Sequence, residues 1–178
     1  LHLSLRRQRQ MCIRDSKTLA LRMRQQQHSA AQLAQFLLNE PLVEAVNYPG
    51  LPNHPNHAVA CAQMRGFGAI VSFVLVGGMD SVKQLLPRLR YAHCAGNLGA
   101  VETIYGPART TSHVENTLEE RQALGISEGL VRISVGIEDT DDLLADLQQA
   151  FAWLRQSLKQ NAAPGAIPSQ DPRAEVAH

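Results

Sequence analysis

Leu130-Val131-Arg132-Ile133-Ser134-Val135-Gly136-Ile137-Glu138, followed by residues 139–158, is the stretch on which the fold turns. Residues 130–135 alternate, so a strand there puts Val131, Ile133 and Val135 on one face and Arg132 and Ser134 on the other. From Asp139 the period becomes helical. Leu143, Leu144, Leu147, Ala150, Phe151 and Leu154 form one stripe, with acidic residues in the first turns and Arg155 and Lys159 in the last, as the helix dipole favours. A strand with one apolar face that leads into a one-sided helix calls for a layered domain in which helix covers sheet.

The same two periods extend outward. Leu19, Met23, Ala30, Ala34, Leu37 and Leu38 recur at mostly helical intervals, and no Gly or Pro intervenes before Pro41, so residues 17–39 form one long amphipathic helix. Residues 43–48 read as a short strand ended by Pro49-Gly50. Asn56 can cap a short helix over residues 57–64, which Gly66 closes. Residues 69–76 are a continuous apolar run, read as a buried strand, and Gly77-Gly78 ends it before a helix capped by Asp80 or Ser81. Residues 91–95 and 101–105 read as short strands flanking a tight Gly96-Asn97-Leu98-Gly99 turn, and Thr117-x-x-Glu120 is a capping box that opens a helix to about Leu124.

The fold expected is α+β: a long N-terminal helix plus a small, mostly antiparallel sheet with helices on one face. Residues 1–16 carry neither period and are expected to be disordered and outside the domain. Residues 17–160 make the domain, and residues 161–178, rich in Pro, Gly and Ala, read as a disordered tail.

Across 178 residues, 17 Lys plus Arg against 16 Asp plus Glu leave a formal charge of +1, which gives no footprint for nucleic acid or a membrane surface. The one basic cluster, Arg6, Arg7 and Arg9, has no aromatic partners and reads as a solvated end. Cys12, Cys61 and Cys94 are odd in number and lack C-x-x-C spacing, so free thiols in a reducing compartment are expected rather than disulfides or a zinc site. With no apolar run near the roughly 18 residues of a membrane span, and no secretory leader pattern, the chain reads as soluble and cytoplasmic.

Few residues announce chemistry. Lys17, Lys83 and Lys159 sit in or at the start of helices, where a solvated lysine is the default, and Gly66-Phe67-Gly68 and Gly77-Gly78 lack phosphate-loop spacing. His54 and His57 have no Cys, Asp or Glu beside them to complete a metal shell. In Ser112-His113 and His93-Cys94 the neighbours point to opposite faces of an extended chain. Arg132 leaves two readings open: an edge-strand arginine in a salt bridge, or a planar two-donor fork that receives a carboxylate.

Ordered segments then carry a resemblance. They run from Lys17-Thr18-Leu19-Ala20-Leu21-Arg22-Met23 through Tyr48-Pro49-Gly50-Leu51 with His54-Pro55 and His57, to Arg65-Gly66-Phe67-Gly68 and Ser72-Phe73. They continue with Leu98-Gly99-Ala100-Val101-Glu102-Thr103, Pro107-Ala108, Thr111-Ser112-His113 and residues 130–139. Over roughly residues 17–155 the chain resembles the Cys/Met-metabolism (trans-sulfuration) pyridoxal-phosphate enzymes: cystathionine γ-synthases and γ-lyases, methionine γ-lyases and homoserine-ester sulfhydrylases. The resemblance implies the end of an interdomain helix and the small C-terminal domain of a fold-type I enzyme.

It further implies that Arg132 binds the substrate α-carboxylate, with Asn97, which stands where the family has a serine, and Thr103 as further substrate-binding candidates. Gly96 occupies a position that is often acidic in lyases acting on cystathionine, which argues against that specificity. Pyridoxal phosphate, an electron sink, is then held mainly by a large preceding domain, which also supplies the Schiff-base lysine; no lysine here matches it, and no cofactor-binding or metal residue is assigned. Residues 1–16 resemble no part of the family and are expected to be foreign sequence. The parent is expected to be a homotetrameric lyase or transferase acting on sulfur amino acids or homoserine esters, and this fragment to be inactive. The competing expectation is a non-catalytic amino-acid-binding or oligomerisation module.

Overall fold

Residues 15–111 and 114–162 are described by the structure, a computed structural model. Helix α1 (Leu19–Leu38) leads into strand β1 (Val43–Asn47), the short helix α2 (His57–Gln63) and strand β2 (Ile70–Leu75). Helix α3 (Gly78–Leu85) and a 3₁₀ turn (Leu86–Arg88) precede β3 (His93–Cys94) and β4 (Ile104–Pro107). Short helices α4 (Ala108–Thr111) and α5 (Leu118–Ala123) lie before β5 (Leu130–Ser134) and the long α6 (Thr140–Ala162).

The strands form one five-stranded sheet in the order β1-β2-β5-β4-β3. All pairings are antiparallel except that of β3 with β4. One face is covered. Val71, Phe73 and Leu75 of β2 and Val131, Ile133 and the following Val135 are buried against Leu33 and Leu37 of α1, Val82 and Leu85 of α3, and Leu147, Phe151 and Leu154 of α6. Phe151 sits edge-on to Phe36 at 6.0 Å and lies 6.4 Å from Phe73, so it joins α1, α6 and the sheet. Each such side chain contributes about 1.5–3 kcal/mol on full burial. Polar ties fix the same helices: Ser29 Oγ lies 2.8 Å from Thr140 Oγ1, and Arg155 Nη1 donates to both oxygens of the buried Glu40 at 2.7 and 2.8 Å. Asp146, also buried, accepts from the amides of Arg90 and Tyr91 at 2.8 and 3.1 Å.

The α+β layering stands as expected, while several local readings change. The apolar run over residues 69–76 predicts a buried strand, yet Ile70, Ser72 and Val74 are only half-buried, because helices cover a single side of the sheet. Helix α3 starts at Gly78 rather than after Asp80: Gly77, at φ +85°, turns the chain straight out of β2. Asn56 holds the N-cap position of α2 without a side-chain capping bond. The capping box at α5 is present, Thr117 Oγ1 accepting from Glu120 N and Glu120 Oε2 from Thr117 N.

The segment around Asn97 differs most. A tight turn between two strands suggests a hairpin, but β3 and β4 run parallel, with His93 opposite Ile104 and Cys94 opposite Tyr105. Residues 95–103 are therefore an excursion that brings the chain back to travel in the same direction. Strand β4 begins at Ile104, and the amide of Thr103 just before it is engaged by Glu138. Ser112 and His113, residues 1–14 and residues 163–178 lie outside the described residues. No helix among the described residues is long and apolar enough to cross a membrane.

Candidate carboxylate-binding site

On the sheet face turned away from the helices, Asn47, Ser72, Arg132 and Gly106 stand in one row, paired strand to strand. Arg132 is on β5, the middle strand, so it is not an edge residue. Its Nη2 donates to the main-chain oxygens of Asn97 (3.0 Å) and Gly96 (3.3 Å). Its Nε is buried and has no hydrogen-bond partner among the described residues. The ion pairs of the described arginines involve Arg109, Arg121 and Arg155 with Glu128 and Glu40, none of them Arg132. The salt-bridge reading of Arg132 therefore finds no carboxylate among the described residues.

Every second residue from Arg132 onward grips the 96–103 excursion. Ser134 Oγ accepts from Gly99 N at 2.9 Å. Gly136 N donates to Thr103 Oγ1 at 2.9 Å. Both oxygens of Glu138 accept from Thr103, one from its amide (2.6 Å) and one from its hydroxyl (2.8 Å). Ile137 N adds a bond to Val101 O at 2.8 Å. From the other side, α1 supplies Arg22 Nη1 to Gly99 O (3.1 Å) and Gln26 Nε2 to Ala100 O (2.8 Å). Gly136 must lack a side chain: a Cβ would stand 2.3 Å from Val101 O and 2.5 Å from Thr103 N. These contacts hold the excursion, and with it the carbonyls that orient the Arg132 guanidinium.

The three sequence candidates thus take different parts around the 96–103 excursion. Arg132 offers a held guanidinium with a spare donor. Asn97 is exposed and reaches Arg132 through its main-chain oxygen. Thr103 is 2% exposed, its hydroxyl engaged by Glu138 and Gly136. Sequence reasoning assigned no part to Ser134, Gly136, Glu138, Arg22 or Gln26. For the first three the signal was available, since the period of two that places Arg132 runs on through residues 134, 136 and 138.

Comparison with known proteins follows the same region. Residues 7–152 match the model of the Cys/Met metabolism PLP-dependent enzymes. The chain belongs to that family. Among its relatives, L-methionine γ-lyase of Fusobacterium nucleatum subsp. polymorphum is 44% identical over 139 residues, covering 78% of this chain and 35% of that protein. Cystathionine γ-lyase of Dictyostelium discoideum is 42% identical, covering 79% and 36%. The crystal structure of cystathionine γ-synthase from Xanthomonas oryzae pv. oryzae in complex with cystathionine superposes with a TM-score of 0.75 at 41% identity, over 79% of this chain and 36% of that one. The chain spans about a third of the length of the curated relatives it matches.

Members of the Cys/Met metabolism family use pyridoxal phosphate. Lys17, Lys83 and Lys159 are all exposed, the opposite of the desolvated amine that Schiff-base chemistry draws on. Arg132 Nη2, Ser134 Oγ and the Glu138 carboxylate are taken up by residues 96–103. Among the described residues these groups do not fit the cofactor.

Proposed function

We propose that this chain is the substrate-binding C-terminal part of a pyridoxal-phosphate-dependent trans-sulfuration enzyme, with Arg132 as the seat of the amino-acid α-carboxylate. One observation carries the reading: the guanidinium is fixed at Nη2 by two carbonyls while the buried Nε has no partner among the described residues. A buried donor left unpaired costs about 1–3 kcal/mol, a cost that an arriving carboxylate removes through a charge-assisted, two-pronged contact. Asn97 and Thr103 belong to the site as positioning residues, Asn97 through its carbonyl and Thr103 by tying the excursion to Glu138.

In the parent enzyme, Arg132 orients the amino acid so that the bond to be broken faces the cofactor, which when bound supplies an electron sink. Substrates of the class acted on by the relatives, sulfur amino acids or acylated homoserines, fit a seat that reads only the carboxylate. γ-Replacement and γ-elimination, and so transferase and lyase, share this seat. Residues 17–160 form one substrate-binding domain in this proposal, and the Schiff-base lysine and most cofactor contacts come from outside the 178 residues. The exposed apolar side chains Leu19, Leu21, Leu98, Val101 and Ile137 support a reading in which further protein packs on this chain. Assembly as a homotetramer and a cytoplasmic location belong to the same proposal and rest on family kinship alone.

The 178-residue chain alone is then expected to give no turnover of cystathionine, methionine or homoserine esters. Added pyridoxal phosphate is expected to produce no visible absorbance band that survives gel filtration. A stable, stoichiometric band would overturn the assignment of the cofactor's contacts to protein outside this chain.

A further inference from the structure

His57 opens α2 and Cys61 follows one turn later, so the two side chains share a face of the helix. Cys61 Sγ lies 3.4 Å from His57 Nε2, and the other ring nitrogen, Nδ1, lies 2.8 Å from Pro49 O. A carbonyl oxygen only accepts, so Nδ1 carries a proton. In the neutral ring Nε2 then holds its lone pair toward the thiol. The half-buried imidazole is held in place by Phe67, whose ring centroid is 5.8 Å away, and Phe67 in turn meets Tyr48 edge-on at 6.4 Å. Cys61 itself is exposed. A nucleophile, a base and a group that orients the base are therefore assembled at the surface. They lie on α2 and the loop after β1, which supply none of the groups that grip residues 96–103.

We propose that Cys61 and His57 form a nucleophilic thiol pair, a modification site for disulfides of low-molecular-weight thiols. As the Cys61 sulfur attacks a disulfide R–S–S–R, its proton passes to His57 Nε2. The R–S–S–R bond breaks while a Cys61–S–S–R bond forms, and the departing RS⁻ takes the proton from Nε2 to leave as RSH. The Nδ1–H bond to Pro49 O steadies the imidazolium between the two transfers.

Cys94 supplies an internal control. It too is exposed, but the imidazole beside it in sequence, His93, is its neighbour on an extended strand and points to the other face. The reduced 178-residue chain is incubated with oxidised glutathione, quenched with acid, and the two cysteines are followed by peptide mass spectrometry. Cys61 is expected to form its mixed disulfide about tenfold faster than Cys94 or more, in keeping with a positioned general base. His57→Ala is expected to lower the Cys61 rate about tenfold and leave the Cys94 rate unchanged, and free imidazole to restore part of the loss at Cys61 only. Equal rates at Cys61 and Cys94 in the unaltered chain, a comparison that needs no variant, would overturn the proposal. So would a Cys61 rate indifferent to His57→Ala.

Discussion

Gly136 stands where the backbone of residues 101–103 passes closest to the loop after β5, and its missing side chain is what lets Ile137 N reach Val101 O. Gly136→Ala puts a methyl within 2.5 Å of main-chain atoms that are themselves hydrogen-bonded, so no flexible side chain can move aside. The substitution is expected to cost about 2 kcal/mol or more of stability, read as a lower urea midpoint, and to loosen the excursion that holds Arg132. An unchanged midpoint would mean that the two segments are not packed as described. Around this glycine, Arg132 and Ser134 were legible in the sequence as one alternating face. Their common target was not, because nothing local in residues 130–138 says that they bind residues 96–103, some 35 positions earlier.

At the scale of elements, what local patterning controls came through. The stripe of α6, the one-sided burial of β5 and the α5 capping box all depend on residues within a turn or two of one another. What depends on distant pairing did not. The parallel run of β3 beside β4, and the start of β4 at Ile104, go with distant contacts, Glu138 holding the amide of Thr103 and Ile137 the carbonyl of Val101. The Cys61–His57 contact shows the reverse case, since a helix over residues 57–64 already implied that positions four apart meet.

Elements are also tied through Tyr48, just past β1, whose hydroxyl donates to Gly68 O ahead of β2 at 3.1 Å. Burial pushes its ionisation above the ordinary 10.0. Tyr105 on β4 is raised as well, first by burial and then by the nearby Cys94 charge. Because the folded state holds these phenols neutral after the unfolded chain would have ionised them, their contribution is full below pH 10.0 and is lost as pH rises through the folded value. Stability is therefore expected to fall on titrating upward past pH 10.0, and Tyr48→Phe to make that fall shallower. An equally steep fall in the variant would show that Tyr48 is not the buried phenol responsible.

For the molecule as a whole, the sheet has one face closed by α1, α3 and α6 and another that carries Arg132 in a half-buried row. Composition and periodicity predict the closed face, since burying apolar side chains is what they encode. The open face is less legible: a guanidinium held by two carbonyls with a spare buried nitrogen has meaning only once a carboxylate is supplied, and the chain supplies none among its described residues. The central claim is best tested in the full-length enzyme that contains this chain, by comparing kcat/KM of the unaltered protein and Arg132→Leu for an amino-acid substrate and for the same compound lacking its α-carboxylate. A drop of about 100-fold or more is expected for the amino acid, with the two proteins equally poor on the decarboxylated compound. Near-normal kcat/KM for the amino acid in Arg132→Leu would contradict the assignment of the carboxylate to this arginine.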